Sequence, residues 1–195
     1  MEKKPKEINE DIKEFARICA ATIKKGGIVG MPSSAGLLMA AHFTQGPGFE
    51  KLLEFAKKLK EKIIIVTDKD EKLNYILHDI PSLAYSLIEH SEKPMIIEYD
   101  KPSLNIHKDL VGPSGTLPVM ILSDELVSRT CNLGLKAVAA IIINTKNQEE
   151  SLPVFSAILP DVEYMVDLPE NKKPKLRTPS IISLTMSGEV KIIRK

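Results

Sequence analysis

Two short runs of apolar residues constrain the fold of this chain more than any other feature. The runs Ile63–Thr67 and Ala137–Asn144 are rich in β-branched residues and far too short to cross a bilayer. A run of this kind predicts a strand that is buried on both faces, as in a sheet covered by helices on each side. The sequence therefore predicts an α/β fold.

Amphipathic helices and further strands alternate along the rest of the chain. Apolar residues recur at helical spacing from Ile8 to Ile23, and again from Phe49 to Ala56. Further helices are predicted at Ala35–Phe43, Asp70–Leu77, Pro81–Glu89, Asp124–Leu133 and Val154–Leu159. Further strands are predicted at Ile28–Met31, Pro94–Tyr99, Leu117–Leu122 and Tyr164–Leu168, with a terminal hairpin of Ser180–Thr185 and Val190–Arg194. This alternation predicts a twisted mixed sheet flanked by helices, and Pro118 predicts an edge or a bulge in its strand.

Composition restricts the class of protein. A chain of 195 residues with 43% hydrophobic and 27% charged residues is typical of one globular domain, so residues 1–195 are predicted to form one. The charged N-terminus has no apolar signal core, which predicts a cytoplasmic protein. Neither the two cysteines nor the four histidines have metal-ligand spacing, so no metal site is expected.

A small-residue loop after the first predicted strand is the first candidate ligand site. Ser33 and Ser34 lie between strand Ile28–Met31 and the helix predicted at Ala35–Phe43. The N-terminus of a helix favours an anion such as phosphate. The alternative is that Pro32, Ser33 and Ser34 only cap and turn the chain, because serine is a common N-cap.

The net charge of +1 conceals two local basic runs. The first contains Lys51, Lys57, Lys58, Lys60 and Lys62, and the second contains Lys172, Lys173, Lys175 and Arg177. Such runs are solvated surface in most proteins, but two runs that lie together in space attract phosphate or nucleic acid. Both interpretations remain open at this stage.

The order of these blocks resembles the YrdC-type family, the L-threonylcarbamoyladenylate synthases of tRNA modification and their relatives. The family opens with a Gly-Gly strand and a Pro-Thr-Asp-Thr-x-Tyr-Gly-Leu loop, and it ends in a Pro-Ser-Thr-Val-Val-Asp hairpin that closes on arginine. The matching blocks here are Gly26–Met39, Lys57–Ile65, Val119–Leu122, Ile141–Asn144 and Pro179–Arg194. The resemblance extends from about Phe15 to the C-terminus.

The resemblance implies a concave basic face that binds a nucleotide or RNA. A YrdC-type synthase condenses threonine, bicarbonate and ATP, the last with Mg²⁺, and the product serves tRNA modification. The implied partners are therefore RNA, either tRNA or double-stranded RNA, together with ATP and threonine as small ligands. The nucleotide- or RNA-binding positions that it implies are Ser33, Lys57, Lys58, Lys62, Asn144, Ser180 and Arg194.

Departures from the family pattern fall in the substrate-binding segments. Ser34, Ala35 and Leu37 replace Asp, Thr and Tyr. Met120 replaces an arginine, and Ile141 and Ile142 replace Thr and Ser. No catalytic residue is therefore assigned, and the pocket under Ser33 is expected to be less polar than a synthase site and to bind threonine poorly.

Two functions remain open. One is an RNA- or nucleotide-binding member of the family with a degenerate catalytic loop. The other is an active ATP-dependent synthase-like nucleotidyltransferase with altered substrate specificity.

Overall fold

A single nine-stranded sheet organises the molecule. The computed structural model describes residues 5–44, 46–103, 106–112, 114–143 and 157–194. The strands are β1 Val29–Ser33, β2 Gly36–Ala41, β3 Ile64–Thr67, β4 Met95–Tyr99, β5 Leu117–Ile121, β6 Ala137–Ile143, β7 Tyr164–Met165, β8 Ser180–Leu184 and β9 Val190–Arg194. The helices are α1 Pro5–Lys24, α2 Pro47–Leu59, α3 Ser82–Glu89 and α4 Glu125–Thr130. Short 3₁₀ turns occur at Asp70–Tyr75, Lys108–Leu110, Leu159–Asp161 and Glu170–Lys172, and one wider turn follows α4 at Cys131–Leu135.

The strands lie in the order β7-β1-β2-β6-β3-β5-β4-β8-β9. Three neighbouring pairs are parallel, namely β1 with β7, β3 with β5 and β4 with β8, and the others are antiparallel. The predicted mixed sheet flanked by helices is therefore confirmed, as is the C-terminal hairpin of β8 and β9. Within the described ranges no helix has both the length and the apolar character to cross a membrane.

Each face of the sheet carries its own apolar core. Because side chains alternate along a strand, Ile65 and Ile97 face one core while Ile64 and Ile96 face the other. Helices α2 and α3 cover the first face, and helices α1 and α4 pack on the second. The sheet is therefore the middle layer of a three-layer structure, as the apolar runs predict.

The two cysteines belong to the second core. Cys19 and Cys131 are free thiols that are almost completely buried, as expected for small apolar residues. Burial raises the pKa of each thiol to about 12. Both groups are therefore neutral near pH 7 and have little nucleophilic character.

The segment Ala35–Phe43, predicted as a helix, is strand β2, so this prediction is wrong. Ser33 ends β1 and its hydroxyl donates to the Gly36 carbonyl oxygen at 2.7 Å, while the Ala35 amide donates to the Ser33 hydroxyl at 3.2 Å. These bonds close a tight hairpin turn, after which β2 pairs with both β1 and β6. No helix begins at Ser33 or Ser34, so the helix N-terminus on which the predicted anion site depended does not exist there.

Pro118 lies in an interior strand, contrary to the predicted edge or bulge. Strand β5 runs between β3 and β4, and Pro118 stands opposite Glu98 without a register shift. The ladder between β5 and β3 begins only at Val119, so the missing N–H falls outside it. Of the helix predicted at Val154–Leu159, residues 154–156 lie outside the described ranges, and a short 3₁₀ turn begins at Leu159.

We expect Gly36→Ala to lower the free energy of unfolding by about 2 kcal/mol or more, because two penalties combine there. Gly36 has a φ of +131°, and an added Cβ would lie 2.9 Å from the Ile143 carbonyl oxygen. The matched control is Gly188→Ala, where φ is +84° and an added Cβ has no neighbour within 4 Å. Urea unfolding of both variants measures the difference, and equal losses would show that the contact with β6 is unimportant.

Candidate functional site

A groove lies between the turn that follows α2 and the β8–β9 hairpin; we call it the β8–β9 groove. Its volume is about 360 Å³. Its walls are formed by Lys60, Glu61, Lys62, Ile64, Ile96, Glu98, Pro118, Ile142, Pro179, Ile181, Ile193 and Arg194. Apolar and charged residues are thus combined in one concave surface, as is common in ligand sites.

The floor of the β8–β9 groove is apolar because five strands each contribute one isoleucine. These residues are Ile64 of β3, Ile96 of β4, Ile142 of β6, Ile181 of β8 and Ile193 of β9. Strand alternation directs them to one face of the sheet, the face on which α1 and α4 pack further along. Such a floor favours a flat or apolar part of a ligand and offers no hydrogen bonds to a small polar molecule.

Three cations stand at the rim of the groove: Lys60, Lys62 and Arg194. Lys60 ends α2 in the left-handed conformation, with φ of 55°. In this turn the Lys60 amide donates to the Lys57 carbonyl oxygen at 3.3 Å, and the Glu61 amide donates to that of Ala56 at 3.0 Å. The abrupt end of the helix brings the residues after it to the rim. Arg194 approaches from β9 and donates from Nη2 to the Pro179 carbonyl oxygen at 3.1 Å.

Two carboxylates offset part of this positive charge. The Lys62 ammonium lies 3.4 Å from the Glu98 carboxylate, whose side chain is only 12% exposed. Burial raises the pKa of Glu61, and the positive charge of Arg194 opposes that rise. The rim is therefore weakly basic, with its charges arranged around an apolar floor.

The structure brings some of the sequence-predicted site residues together. Lys62 and Arg194 line the β8–β9 groove, and Lys57 lines an adjoining cavity of about 660 Å³ that shares Lys60, Glu61 and Lys62 with it. Lys58 is exposed on α2 and lines neither cavity. The second basic run lines a different cleft, through Lys175 and Arg177.

Three predicted residues do not line the groove. Ser33 is buried and its hydroxyl is engaged within the hairpin turn. Ser180 is 8% exposed, and its hydroxyl has no hydrogen-bond partner in the part of the chain that the structure describes. Asn144 lies outside the described residues.

Glu61 and Glu98 were not predicted as site residues. A signal for Glu98 was present, because it is a charged residue within the otherwise apolar strand segment Pro94–Tyr99. Glu61 gave no such signal, since it lies in a run of exposed charges and only the turn at Lys60 brings it to the groove.

A buried carboxylate elsewhere has a structural role. Asp68 follows β3, and its side chain accepts hydrogen bonds from the Ser128 hydroxyl at 3.0 Å and the Asn132 amide at 2.9 Å, and pairs with the Lys72 ammonium. Because these bonds satisfy both carboxylate oxygens, the cluster links the end of β3 to α4 and needs no ligand.

The residues of the rim fit Mg²⁺ only as a companion of ATP. Among the described residues, His, Cys, Asp and Glu side chains do not gather in the groups of three or more that would hold a metal ion. Glu61 and Glu98 are the carboxylates of the groove, and Glu98 is already paired with Lys62. A bound Mg²⁺ would therefore take most of its oxygen ligands from the phosphates of the nucleotide and from water.

Sequence comparison with family profiles and with curated proteins finds no match. Comparison with solved structures, by contrast, finds several similar folds. Sua5 of P. abyssi, in complex with L-threonine, matches with a TM-score of 0.70 at 17% identity, over 88% of this chain and 51% of Sua5. YciO of E. coli matches with a TM-score of 0.71 at 10% identity, over 94% of this chain and 89% of YciO. A full-length HypF in a phosphate- and nucleotide-bound form matches with a TM-score of 0.63 at 17% identity, over 94% of this chain and 28% of HypF.

The chain has a YrdC-like fold. It spans about half the length of Sua5 and most of the length of YciO. The resemblance inferred from the sequence is therefore confirmed at the level of fold, although identity to these structures is at most 17%.

Several departures from the YrdC-type pattern have visible structural consequences. Ile142 forms part of the groove floor, where the family pattern has a serine. Met120 and Ile141 are completely buried in the cores. Leu37 packs partly buried against the first core. The side chains at these four positions are all apolar.

We expect Ser180→Ala to leave the free energy of unfolding unchanged or to raise it by up to about 1 kcal/mol, because the buried hydroxyl has no hydrogen-bond partner among the described residues. The matched control is Ser33→Ala, which removes a hydroxyl bonded at 2.7 Å and should lower the free energy of unfolding by about 1 kcal/mol. Chemical denaturation measures both. A loss in Ser180→Ala as large as that of the control would contradict the absence of a partner.

We expect Glu61→Gln to strengthen sulfate binding to the β8–β9 groove about two- to fivefold, since exposed charge pairs contribute ~0.2–1 kcal/mol. The substitution removes a negative charge that acts on Arg194. Because the pKa of Glu61 is raised, the wild-type protein should also gain affinity as the pH falls and the carboxyl is protonated, while the variant should lose that gain. Sulfate keeps its charge over the pH range in which the Glu61 carboxyl is protonated. A change of affinity measured by calorimetry therefore reports the protonation of the protein and not of the ligand. Glu54→Gln, on the exposed side of α2, is the control.

Proposed function

We propose that this protein binds a nucleotide, free or as part of RNA, in the β8–β9 groove, and that it is not an efficient threonylcarbamoyl adenylate synthase. One observation carries the proposal: Lys60, Lys62 and Arg194 stand around a floor of isoleucines in one groove. This arrangement matches the two halves of a nucleotide, an anionic phosphate and an apolar heterocycle. The RNA partner is then tRNA or double-stranded RNA.

The rim residues differ in how they would hold a phosphate. Arg194 presents a planar guanidinium that can donate two parallel hydrogen bonds, whereas Lys60 and Lys62 act as mobile point charges. Lys57 and Lys58 extend the positive charge along α2 beyond the groove, where neighbouring phosphates of an RNA would lie. Glu98 limits the attraction by pairing with Lys62, so binding should be moderate and sensitive to salt.

The chemistry of the floor argues against efficient synthesis. A synthase must hold threonine and a carbamate by polar contacts that strengthen as charge develops in the reaction. Ile142 offers a hydrocarbon surface at the groove, and Met120 offers no charge in place of the arginine. An anion can be held at the rim without these contacts, but a small zwitterion on the floor cannot.

A second candidate function is an active synthase-like enzyme with altered substrate specificity, for which ATP with Mg²⁺ would be the co-substrate. The structural similarity to Sua5 in complex with L-threonine favours it. Release of pyrophosphate from ATP in the presence of bicarbonate and an amino acid distinguishes the two. We expect no release above background with threonine, and clear release would replace the binding proposal by the enzymatic one.

Replacing Lys57, Lys58 and Lys62 together with alanine should weaken RNA binding and flatten its salt dependence. Each lost phosphate contact should reduce the slope of log affinity against log salt by roughly 0.7–0.9. Exposed Lys13, Lys69 and Lys101 lie outside the groove, so their joint replacement is the charge-matched control. Fluorescence anisotropy with a tRNA and with an RNA duplex across a salt series gives the slopes.

Three outcomes of this experiment are informative. A smaller slope in the groove variant alone supports the proposal. Equal slopes in the two variants would assign the binding to general surface charge. Loss of RNA binding with retention of ATP binding, measured by calorimetry, would assign the replaced lysines to RNA contacts and remove Lys62 from the nucleotide site.

A further inference from the structure

A second cleft lies on the opposite face of β4 and β5 from the β8–β9 groove. Its volume is about 500 Å³, within the range of roughly 300–1,000 Å³ that is usual for ligand pockets. Met95, Ile97 and Tyr99 of β4 and Val119 of β5 line it. All are odd-numbered, whereas Ile96 and Pro118 of the same strands line the groove. Because successive side chains of a strand face opposite ways, the sheet separates the two cavities.

Hydrogen bonds between distant segments build the mouth of this cleft. The Arg177 amide donates to the Ser34 carbonyl oxygen at 2.8 Å, and the Arg177 guanidinium donates to the Glu92 carbonyl oxygen. The Asp124 carboxylate accepts from the Ser34 amide at 2.9 Å and from the Ser34 hydroxyl at 2.8 Å. The β1–β2 turn, the start of α4 and the loop before β8 therefore meet here.

The charge of the mouth favours an anion. Lys175 and Arg177 both line it, and neither forms an ion pair with a carboxylate of the described residues. Glu92 and Asp124 also line the cleft, as does Lys93, so its cations outnumber its carboxylates, and the Asp124 carboxylate is already bonded twice by Ser34. A ligand carboxylate would thus meet two cations that form no ion pair among the described residues, with an apolar floor behind them.

Tyr99 supplies a polar group inside the cleft. The whole residue is only 2% exposed but lines the cleft, and its hydroxyl takes part in none of the hydrogen bonds that join the described residues. Burial raises the pKa of Tyr99, so the phenol stays protonated and can donate. Tyr99 ends β4, whereas Glu92, which Arg177 contacts, precedes its start. At ~3.3 Å per residue, the ends of this strand are about 13 Å apart, so the donor and the cationic mouth stand at different ends of the cleft.

We propose that this cleft is a second ligand site, independent of the nucleotide groove, for a small oxo acid with an apolar chain. Its carboxylate binds Lys175 and Arg177, its hydrocarbon chain lies on Met95, Ile97 and Val119, and its carbonyl oxygen accepts a hydrogen bond from the Tyr99 hydroxyl. The combination of a cationic mouth, an apolar floor and one hydroxyl donor inside the cleft selects this class over nucleotides and over uncharged apolar molecules.

The test uses three probes on the full chain: the fluorescent sulfonate 8-anilinonaphthalene-1-sulfonate, octanoate, and 7-oxooctanoate. We expect one fluorophore per chain, displaced by both acids, with 7-oxooctanoate about tenfold tighter than octanoate because it gains a hydrogen bond from the Tyr99 hydroxyl. Lys175→Gln with Arg177→Gln should weaken both acids about tenfold. Tyr99→Phe should abolish the preference for the oxo acid and leave octanoate unchanged.

Matched variants distinguish this site from the other surfaces. The Lys57, Lys58 and Lys62 triple alanine variant should bind both acids normally, so that the proposal stands or falls separately from nucleotide binding. Ile192→Ser, on the exposed strand β9, should also change nothing. The proposal is overturned if the acids fail to displace the fluorophore, if the double glutamine variant binds them as the wild type does, or if Ile192→Ser removes fluorophore binding. An oxo-acid preference that survives in Tyr99→Phe would refute the role of that hydroxyl.

Discussion

The burial of β6 between β2 and β3 is the interaction on which the rest of the structure depends. Six of its seven residues are at most 8% exposed, and both of its edges carry antiparallel ladders. With both faces covered, the strand forces helices onto each side of the sheet. Ile142 is the exception, because there β6 emerges from beneath the helices and becomes part of the groove floor. The most buried strand thus also determines the character of the candidate site.

Apolar runs made much of the fold predictable, and the failures have local causes. The β-branched residues of β3 and β6 made these strands predictable, because such residues favour strands over loops. β2 is different, since its leucines, methionine and alanines favour a helix as readily as a strand. This segment is a strand because Ser33 and Gly36 form a tight turn before it and because it pairs with β6. Pro118 was misplaced because the sequence cannot show where along a strand its partner ladder begins.

The candidate site was predictable only in part. The family resemblance implied Lys62 and Arg194 as binding positions, and the structure places both in one groove although they are far apart in the chain. It also implied Ser33, whose hydroxyl is engaged in closing a turn. Glu61 and the apolar floor become visible only after folding, because they depend on a left-handed turn at Lys60 and on strand alternation across five strands. Spacing in the sequence carries neither kind of information.

The order of the strands has a consequence for the growing polypeptide. β1 obtains its outer neighbour only from β7, where the Ile28 amide also donates to the Glu163 carboxylate at 2.6 Å, and β4 obtains its outer neighbour only from β8. Until those late segments have been synthesised, two strand edges near the start and middle of the chain remain open to incorrect pairing. Pairing strands that lie so far apart in the chain requires the closure of large loops before the contacts can stabilise the sheet. We therefore expect this protein to fold slowly, as other proteins rich in non-local contacts do.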